Sequence, residues 1–272
     1  MENQALEKGL IKGLKENFPD IRVVGSQPFF PLENYFSTVS SDQEKQSGLL
    51  PEKILVLGPA GRKWATEFIK DMPVGYSPAF RYTSVLSEPS VNDHRENNLL
   101  VLLPILFENA VGMMRILLNI ESHLESFDRI MIKLHPAGDF DQKRLVKGAG
   151  EDFPNRYEFV DGKLEQYIGK ASIGFCAASS TAAELVMRGI PVIAMGDSHA
   201  LTLDCLYCKQ DPDMWQLCFS GDQVIGALNH FKALKKEKSR DWVQKAHEFR
   251  DIFIAQPSEK YWENYLVETS NV

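Results

Sequence analysis

Three consecutive residues with hydroxyl side chains, Ser179, Ser180 and Thr181, stand between a predicted strand and a predicted helix. The apolar run at residues 172–176 predicts a buried strand, and residues 181–188 have helical spacing and are followed by a glycine. Hydroxyl groups and unpaired backbone N–H groups at the start of a helix favour a negatively charged ligand. These residues therefore predict a phosphate site.

The simpler interpretation of this turn is structural. Ser179 or Ser180 would then only cap the helix, which is the commonest role of serine and threonine at that position. Because most helix caps bind no ligand, the turn alone leaves both interpretations open.

A second polar cluster favours the phosphate interpretation. Lys133 and His135 stand at the end of the apolar run 129–134, and the proline that follows cannot continue a sheet ladder. Ligands of α/β proteins bind at the carboxyl ends of parallel strands. We therefore expect His135 and Ser180 to contact one ligand although they are far apart in the sequence.

The two clusters together resemble the C-terminal, donor-binding half of GT-B glycosyltransferases. The first motif is Lys-x-His-Pro at a strand end, and the second is Ser-Ser-Thr-Ala-x-Glu at a helix start. They are most similar to those of bacterial sialyltransferases, the Kdo transferases of capsule synthesis and related surface-carbohydrate proteins, which carry a His-Pro motif and a Ser-Ser/Thr motif. The resemblance covers about residues 97–265.

This resemblance implies that the chain binds a nucleotide-activated sugar, with a CMP sugar favoured. His135 and the three hydroxyl residues would hold its phosphate together with Lys133, and Glu184 would face the ribose or the sugar. His135 would also stabilise the leaving phosphate, and no other catalytic residue is assigned. The nucleotide sugar is then a substrate, the second partner is a glycan acceptor, and no metal ion or other cofactor is expected.

The function that the resemblance implies is glycosyl transfer in surface polysaccharide or glycan synthesis. The N-terminal region departs from the family, because it is short and lacks the Asp/Glu-Asp/Glu-Gly motif with which sialyltransferases deprotonate the acceptor. The general base is therefore unassigned. Two alternatives stay open: a GT-B-like nucleotide-sugar epimerase or hydrolase, and a catalytically silent binding or assembly subunit.

The elements that must position these residues alternate between strands and helices. Continuous apolar runs predict strands at residues 99–106, 129–134, 157–160, 172–176 and 192–195. This alternation predicts an α/β fold with a doubly wound, Rossmann-like parallel sheet, corresponding to a GT-B C-terminal lobe. We assign that domain, with the terminal helices, to residues 96–272, and a smaller, incomplete N-terminal α/β lobe with its linker to residues 1–95. The loop at residues 107–109 is a candidate third wall of the site.

The net charge of −7 and the isoelectric point near 5.5 argue against nucleic acid as a partner. No apolar run approaches the roughly twenty residues that span a bilayer, and the start of the sequence lacks the apolar core of a signal peptide. We therefore predict a cytoplasmic protein without a transmembrane segment. Peripheral association with a membrane stays open.

The four cysteines do not predict a disulfide framework in a chain of 272 residues. Cys205, Cys208, Cys218 and His199 lie near one another in the sequence, as zinc ligands do. Structural zinc sites usually carry two spaced pairs of ligands, however, and the second pair is absent here. Reduced, packed thiols are the favoured interpretation, and no metal site is predicted.

Overall fold

The structure is a computed structural model that describes residues 4–86, 96–150, 153–177, 179–197, 199–237 and 239–263. The chain divides into two compact units. The first unit is Met1–Leu86 together with Glu248–Val272, and the second unit is Ser87–His247. The linker predicted just before residue 96 falls at residues 87–95, which lie outside the described residues.

The first unit contains a small parallel sheet. Its helices and strands are α1 (Ala5–Asn17), β1 (Val24–Gln27), α2 (Asp42–Gln46), β2 (Lys53–Val56), α3 (Pro59–Ala65), β3 (Val74–Tyr76) and α4 (Thr83–Leu86). The strand order of this small sheet is β1-β2-β3, with both pairs parallel. The central strand is the most apolar and the most deeply buried, as expected for a parallel strand that is covered on both faces.

Aromatic rings form part of the core of the first unit. The ring centroid of Phe30 lies 4.3 Å from that of Tyr82 and 5.1 Å from that of Phe253. Gly58, which follows β2, approaches the same region so closely that an added Cβ would lie 2.5 Å from the carbonyl oxygen of Phe253. Glycine is therefore required where β2 turns into α3.

The second unit contains alternating strands and helices, as the sequence analysis predicted for the donor-binding domain. They are β4 (Asn98–Leu102), α5 (Phe107–Asn119), β5 (Arg129–Lys133), α6 (Gln142–Ala149), β6 (Tyr157–Phe159), α7 (Glu165–Ile168), β7 (Ala171–Ala177), α8 (Ser180–Val186), β8 (Val192–Met195), β9 (Trp215–Cys218) and α9 (Gly221–Glu237). A further helix, α10 (Ser239–Phe253), begins in the second unit and ends in the first.

The large sheet, formed by β4 to β9, has the strand order β6-β5-β4-β7-β8-β9, and every neighbouring pair is parallel. This confirms the predicted fold class. The chain moves outward from β4 through β5 and β6, and then continues on the other side of β4 through β7, β8 and β9. The order thus reverses between β4 and β7, and ligands of such sheets bind at this switch point, outside the carboxyl ends of the strands.

Helices cover the large sheet closely. Gly174 in β7 would place an added Cβ 2.5 Å from Cδ1 of Leu185 in α8, so glycine lets this helix pack directly on the strand. A single apolar cluster joins β4, β5 and β7 to α5 and α9. Because every strand is parallel, all carboxyl ends meet at one edge of the sheet, here called the carboxyl edge, and all amino ends meet at the opposite amino edge.

Several details differ from the sequence predictions. The strand predicted at residues 99–106 ends at Leu102, because Pro104 interrupts the ladder, and residues 107–109 form the first turn of α5 rather than a loop. Helix α6 was not predicted, because Leu145 is its only buried residue. The residues after Glu248 pack in the first unit, whereas the sequence analysis grouped them with residues 96–272.

Hydropathy along the helices bears on the membrane predictions. Across the described ranges, we find no helix that combines the length and the apolar character needed to cross a bilayer.

Candidate functional site

The residues Ser179, Ser180 and Thr181, here called the hydroxyl turn, join β7 to α8 at the carboxyl edge. Ser179 is the N-cap residue of α8 and has an extended backbone, but its side chain makes no capping hydrogen bond. In the part of the chain that the structure describes, the hydroxyl groups of Ser180 and Thr181 are also without a hydrogen-bond partner. The turn is thus held by its backbone, and capping by Ser179 is not observed.

A buried thiol fixes the backbone of this turn. The carbonyl oxygen of Ser179 accepts hydrogen bonds from the backbone N–H of Ala182, at 2.9 Å, and from Sγ of Cys205, also at 2.9 Å. Burial raises the pKa of Cys205 well above its usual value, and the nearby carboxylate of Asp204 adds to this shift. The thiol therefore keeps its proton and remains a donor. Sequence reasoning missed this contact, since nothing in the spacing brings residue 205 to residue 179.

His135 lies in the loop after β5 and is exposed. Its Nδ1 accepts a hydrogen bond from the backbone N–H of Ala137 at 3.1 Å, and its carbonyl oxygen accepts one from Gly138 at 3.0 Å. Because Nδ1 is an acceptor, Nε2 carries the proton of the neutral ring and can donate it to an anion. The loop therefore orients the imidazole.

The structure places His135 and the hydroxyl turn at the same edge, on β5 and β7. One strand, β4, lies between them, which corresponds to about 10 Å across the sheet. Both clusters flank the switch point on either side of the loop that follows β4. This separation between the strands is within the length of a nucleotide sugar, and side chains that extend from both strands shorten it.

Lys133 is directed elsewhere. Its Nζ donates a hydrogen bond of 2.5 Å to the carbonyl oxygen of Gly162, in the loop after β6. Gly162 has a φ of 96°, in the region that favours glycine. The ammonium group thus braces a neighbouring loop at the outer side of β5, away from the hydroxyl turn on β7.

Glu184 lies in α8, one helical turn before Arg188, and is half-buried. Arg188 is only 8% exposed. Burial lowers the pKa of the Arg188 guanidinium, whereas the carboxylates of Glu184 and Glu165 act in the opposite direction. Glu184 therefore supplies negative charge to a buried arginine, a role that the sequence analysis did not consider.

All the large apolar side chains that are exposed in the described part of the second unit follow strands at the carboxyl edge. They come after β4, β8 and β9, and are Ile105, Leu106, Leu201, Leu203 and Phe219. Within the loop after β8, the backbone N–H of Asp197 donates a hydrogen bond to Oγ1 of Thr202 at 3.1 Å. The hydroxyl turn thus has apolar neighbours on both sides.

Two further thiols, those of Cys176 and Cys218, are buried and protonated. Burial raises the pKa of Cys176 to about 12 and that of Cys218 to about 11. Over the residues with assigned positions, no group of three or more His, Cys, Asp or Glu side chains is arranged to hold a metal ion.

Comparison with known proteins gives a likeness of fold. No protein-family model and no curated protein sequence matches the chain. Among solved structures, the GtfA/B complex matches with a TM-score of 0.60 and 13% sequence identity, over 96% of this chain and 55% of that chain. The present chain thus spans about half the length of that relative.

Two further structures have similar scores. A trehalose-6-phosphate protein from E. coli bound with UDP-2-fluoro glucose matches with a TM-score of 0.58 and 10% identity, over 95% of this chain and 70% of that chain. The UDP-GlcNAc 2-epimerase of Methanocaldococcus jannaschii, in complex with UDP-GlcNAc and UDP, has a TM-score of 0.57 and 12% identity, over 96% and 78%. The chain therefore has a GT-B-like α/β fold.

Proposed function

We propose that the second unit binds a nucleotide-activated sugar, with a CMP sugar favoured, and that the protein transfers the sugar to a growing surface glycan without a metal ion. The solved structures of similar fold include proteins bound with UDP-2-fluoro glucose and with UDP-GlcNAc. Because their sequence identity to this chain is low, these structures support only the fold. The proposal therefore depends on the residues at the carboxyl edge.

The observation that carries the proposal is the position of the hydroxyl turn at the switch point of the large sheet. Ser180 and Thr181 lie at the start of α8, where backbone N–H groups have no partner inside the helix. Ser179 does not use its side chain to satisfy them. A phosphate at this position would accept hydrogen bonds from both backbone and hydroxyl donors.

The chemistry that we propose for these groups is stabilisation of the leaving phosphate. When the bond between the sugar and the phosphate breaks, negative charge grows on the phosphate oxygens, and fixed donors stabilise it. Nε2 of His135 would donate from one side, and the hydroxyl turn would donate from the other. Glu184 would face the ribose or the sugar, and Lys133 would contribute through the loop that it braces. The residue that activates the acceptor is unassigned.

Calorimetric titration with CMP, UDP and CDP tests the site. We expect His135→Ala and Ser180→Ala each to weaken nucleotide binding by about ten- to a hundredfold, the effect of losing one hydrogen bond to a phosphate. Neither change should move the melting temperature. The matched controls are His123→Ala and Ser126→Ala, which remove the same side chains from exposed positions before β5, at the amino edge.

The opposite result would exclude the site. If both variants lower the melting temperature and leave nucleotide affinity unchanged, His135 and Ser180 are structural residues. If the controls weaken binding as much as the test variants do, the effect is not specific to the carboxyl edge.

A second candidate function is epimerisation or hydrolysis of a nucleotide sugar. The observation that favours it is the coverage of the M. jannaschii UDP-GlcNAc 2-epimerase, of which this chain matches 78%, against 55% for the GtfA/B complex. Product analysis with labelled nucleotide sugars separates the candidates. Transfer requires an acceptor, whereas release of the nucleotide or isomerisation of the sugar without an acceptor supports the second candidate. Nucleotide binding with no turnover would indicate a silent binding or assembly subunit.

A further inference from the structure

Cys205 and Cys208 lie on one tight turn, here called the cysteine turn. Leu206–Cys208 is a 3₁₀ helix, and Cys205 is its N-cap residue with a helical backbone conformation. Side chains three residues apart stand one above the other on such a helix, and a rise of about 2.0 Å per residue places their Cα atoms about 6 Å apart. Disulfides join Cα atoms that are about 4.4–6.8 Å apart. The turn therefore has the geometry for one disulfide between the two cysteines.

Hydrogen bonds that do not involve the thiols hold the cysteine turn. Oδ1 of Asp204 accepts the backbone N–H of Leu206 at 2.8 Å, and the carbonyl oxygen of Leu206 accepts that of Lys209 at 3.1 Å. The carbonyl oxygen of Lys209 in turn accepts Nε1–H of Trp215, in β9, at 2.9 Å. We therefore expect the turn to keep its shape when the thiols change partners.

The two thiols differ in exposure and in contacts. Cys208 is half-buried, whereas Cys205 is fully buried. Sγ of Cys205 donates to the carbonyl oxygen of Ser179 at 2.9 Å. Burial and the carboxylate of Asp204 raise the pKa of Cys205, whereas a hydrogen bond from the backbone N–H of Ala183 to its sulfur acts in the opposite direction. A reagent in solvent therefore meets Cys208 first, and Cys205 connects the cysteine turn to the start of α8.

We propose that Cys205 and Cys208 are a redox modification site, at which a small disulfide oxidises both thiols to one disulfide bond and thereby withdraws Sγ of Cys205 from Ser179. The thiolate of Cys208 attacks the small disulfide, forms a mixed disulfide and displaces one small thiolate. The sulfur of Cys205 then attacks that of Cys208 and displaces the second small thiolate. Each displaced thiolate takes up one of the two protons that the cysteines lose. Two protein thiols are thus oxidised, and one small disulfide is reduced to two thiols.

The consequence of this modification falls on the hydroxyl turn. A sulfur in a disulfide has no proton to donate, so the carbonyl oxygen of Ser179 loses one of its two hydrogen bonds. The start of α8 is then no longer connected to the loop after β8 through this thiol. Because a binding site depends on donors that are held in place, we expect oxidation to weaken the phosphate site. This last step rests on the proposed function.

Equilibration of the full chain with mixtures of reduced and oxidised glutathione tests the modification. We expect the native chain to lose two of its four thiols, and mass spectrometry of the tryptic digest to show a peptide with both Cys205 and Cys208 that is lighter by two hydrogen atoms. Cys208→Ser should abolish this product, and the control Cys218→Ala should retain it. A bond from Cys205 to Cys176, a mixed disulfide at Cys208 alone, or no loss of thiols would overturn the proposal.

Hydrogen exchange tests the effect on α8 without a nucleotide. We expect the backbone N–H groups of residues 180–183 to exchange about two- to fivefold faster in the oxidised chain, the effect of losing one weak hydrogen bond. Affinity for CMP should fall by a similar factor, and Cys208→Ser should show neither change. If the reduced chain binds no CMP, the proposed function fails, and hydrogen exchange alone decides the coupling. A disulfide that leaves exchange at residues 180–183 unchanged would overturn it.

Discussion

The two edges of the large sheet differ in the hydrogen bonds that their polar side chains make. At the amino edge, Arg156 pairs with Oε1 of Glu121, and the hydroxyl of Tyr157 donates to Oε2 of the same carboxylate at 2.6 Å. At the carboxyl edge, the side chain of Ser179 makes no capping hydrogen bond, although the serine occupies the N-cap position. The carboxylate of Glu121 is thus satisfied by its neighbours, whereas the hydroxyl turn leaves the start of α8 without a side-chain cap.

The carboxyl edge itself contains an internal reference. Asp141 caps α6, because its Oδ1 accepts the backbone N–H of Arg144 at 2.8 Å. The start of α8 lies at the same edge and lacks such a bond. Helices α5 and α7 also start at this edge without a side-chain cap, but their N-cap residues are leucines, whereas the uncapped α8 begins at serine residues next to the switch point. The comparison teaches that two helix starts at one edge of a sheet can differ in whether a polar N-cap side chain is used, and the site proposed above lies at the start where it is not.

The largest effect that we expect comes from making α8 resemble α6. Ser179→Asp adds a carboxylate cap, which should maintain or raise stability because negative charge is favourable at a helix N-terminus. The same carboxylate would repel a bound phosphate, and like charges in contact cost several kcal/mol, so nucleotide affinity should fall by more than about a hundredfold. Calorimetric titration and thermal melts measure both effects. Ser126→Asp at the amino edge is the control. If Ser179→Asp keeps its affinity for the nucleotide, the start of α8 does not bind the phosphate and does not differ in this respect from the start of α6.

A smaller effect is expected at the amino edge. Arg156→Met leaves the half-buried Glu121 without its cation and should lower the free energy of unfolding by about 1 to 3 kcal/mol. Nucleotide affinity should not change, because these residues lie at the far edge of the sheet. Denaturant unfolding and titration with CMP measure the two quantities. Arg129→Met is the control, since its ion pairs are exposed and contribute less. A drop in affinity would mean that the edges are coupled.

The smallest expected effect concerns Asp213, which precedes β9, and the change in the free energy of unfolding at acid pH. Hydrogen bonds from Lys245 lower the pKa of Asp213, burial opposes this shift, and His230 adds to it. A carboxyl group with a lowered pKa in the folded state stabilises the fold above its unfolded pKa, near 4, and the contribution is lost as the pH falls through the folded value. Lys245→Met should therefore lower stability at pH 7 by about 0.2 to 1 kcal/mol.

The pH dependence identifies the cause of that loss. The difference in unfolding free energy between the native chain and Lys245→Met should be constant between about pH 5 and pH 7 and shrink below about pH 4. Lys147→Met, which removes an exposed lysine on α6, should show no such dependence. A difference that stays constant down to pH 2 would assign the loss to packing.

The sequence predicted the large sheet well because parallel strands buried on both faces are continuous apolar runs. The runs at residues 129–134 and 192–195 coincide closely with β5 and β8. Helix α6 escaped prediction because it buries only Leu145, and a helix held mainly by its cap and edge contacts has little apolar periodicity.

The candidate site was predictable only where its residues follow strands directly. His135 and the hydroxyl turn come next to β5 and β7, so the parallel sheet brings them to one edge. Cys205 reaches Ser179 through a loop, and Lys133 turns to the carbonyl oxygen of Gly162. Such contacts depend on loop conformation and on the direction of a flexible side chain, neither of which leaves a periodic signal.

Helix α10 has a consequence for synthesis on the ribosome. The first unit needs Phe253 beside Phe30, and the backbone N–H of Ala255 bonds the carbonyl oxygen of Leu57 at 2.8 Å. All of the second unit is translated between these partners. At about 5 to 20 residues per second, roughly ten seconds or more pass between the synthesis of Leu57, which follows β2, and the synthesis of its partner Ala255. The part of the chain that emerges first is therefore completed last, and until then its apolar residues depend on chaperones or on partial folding for protection.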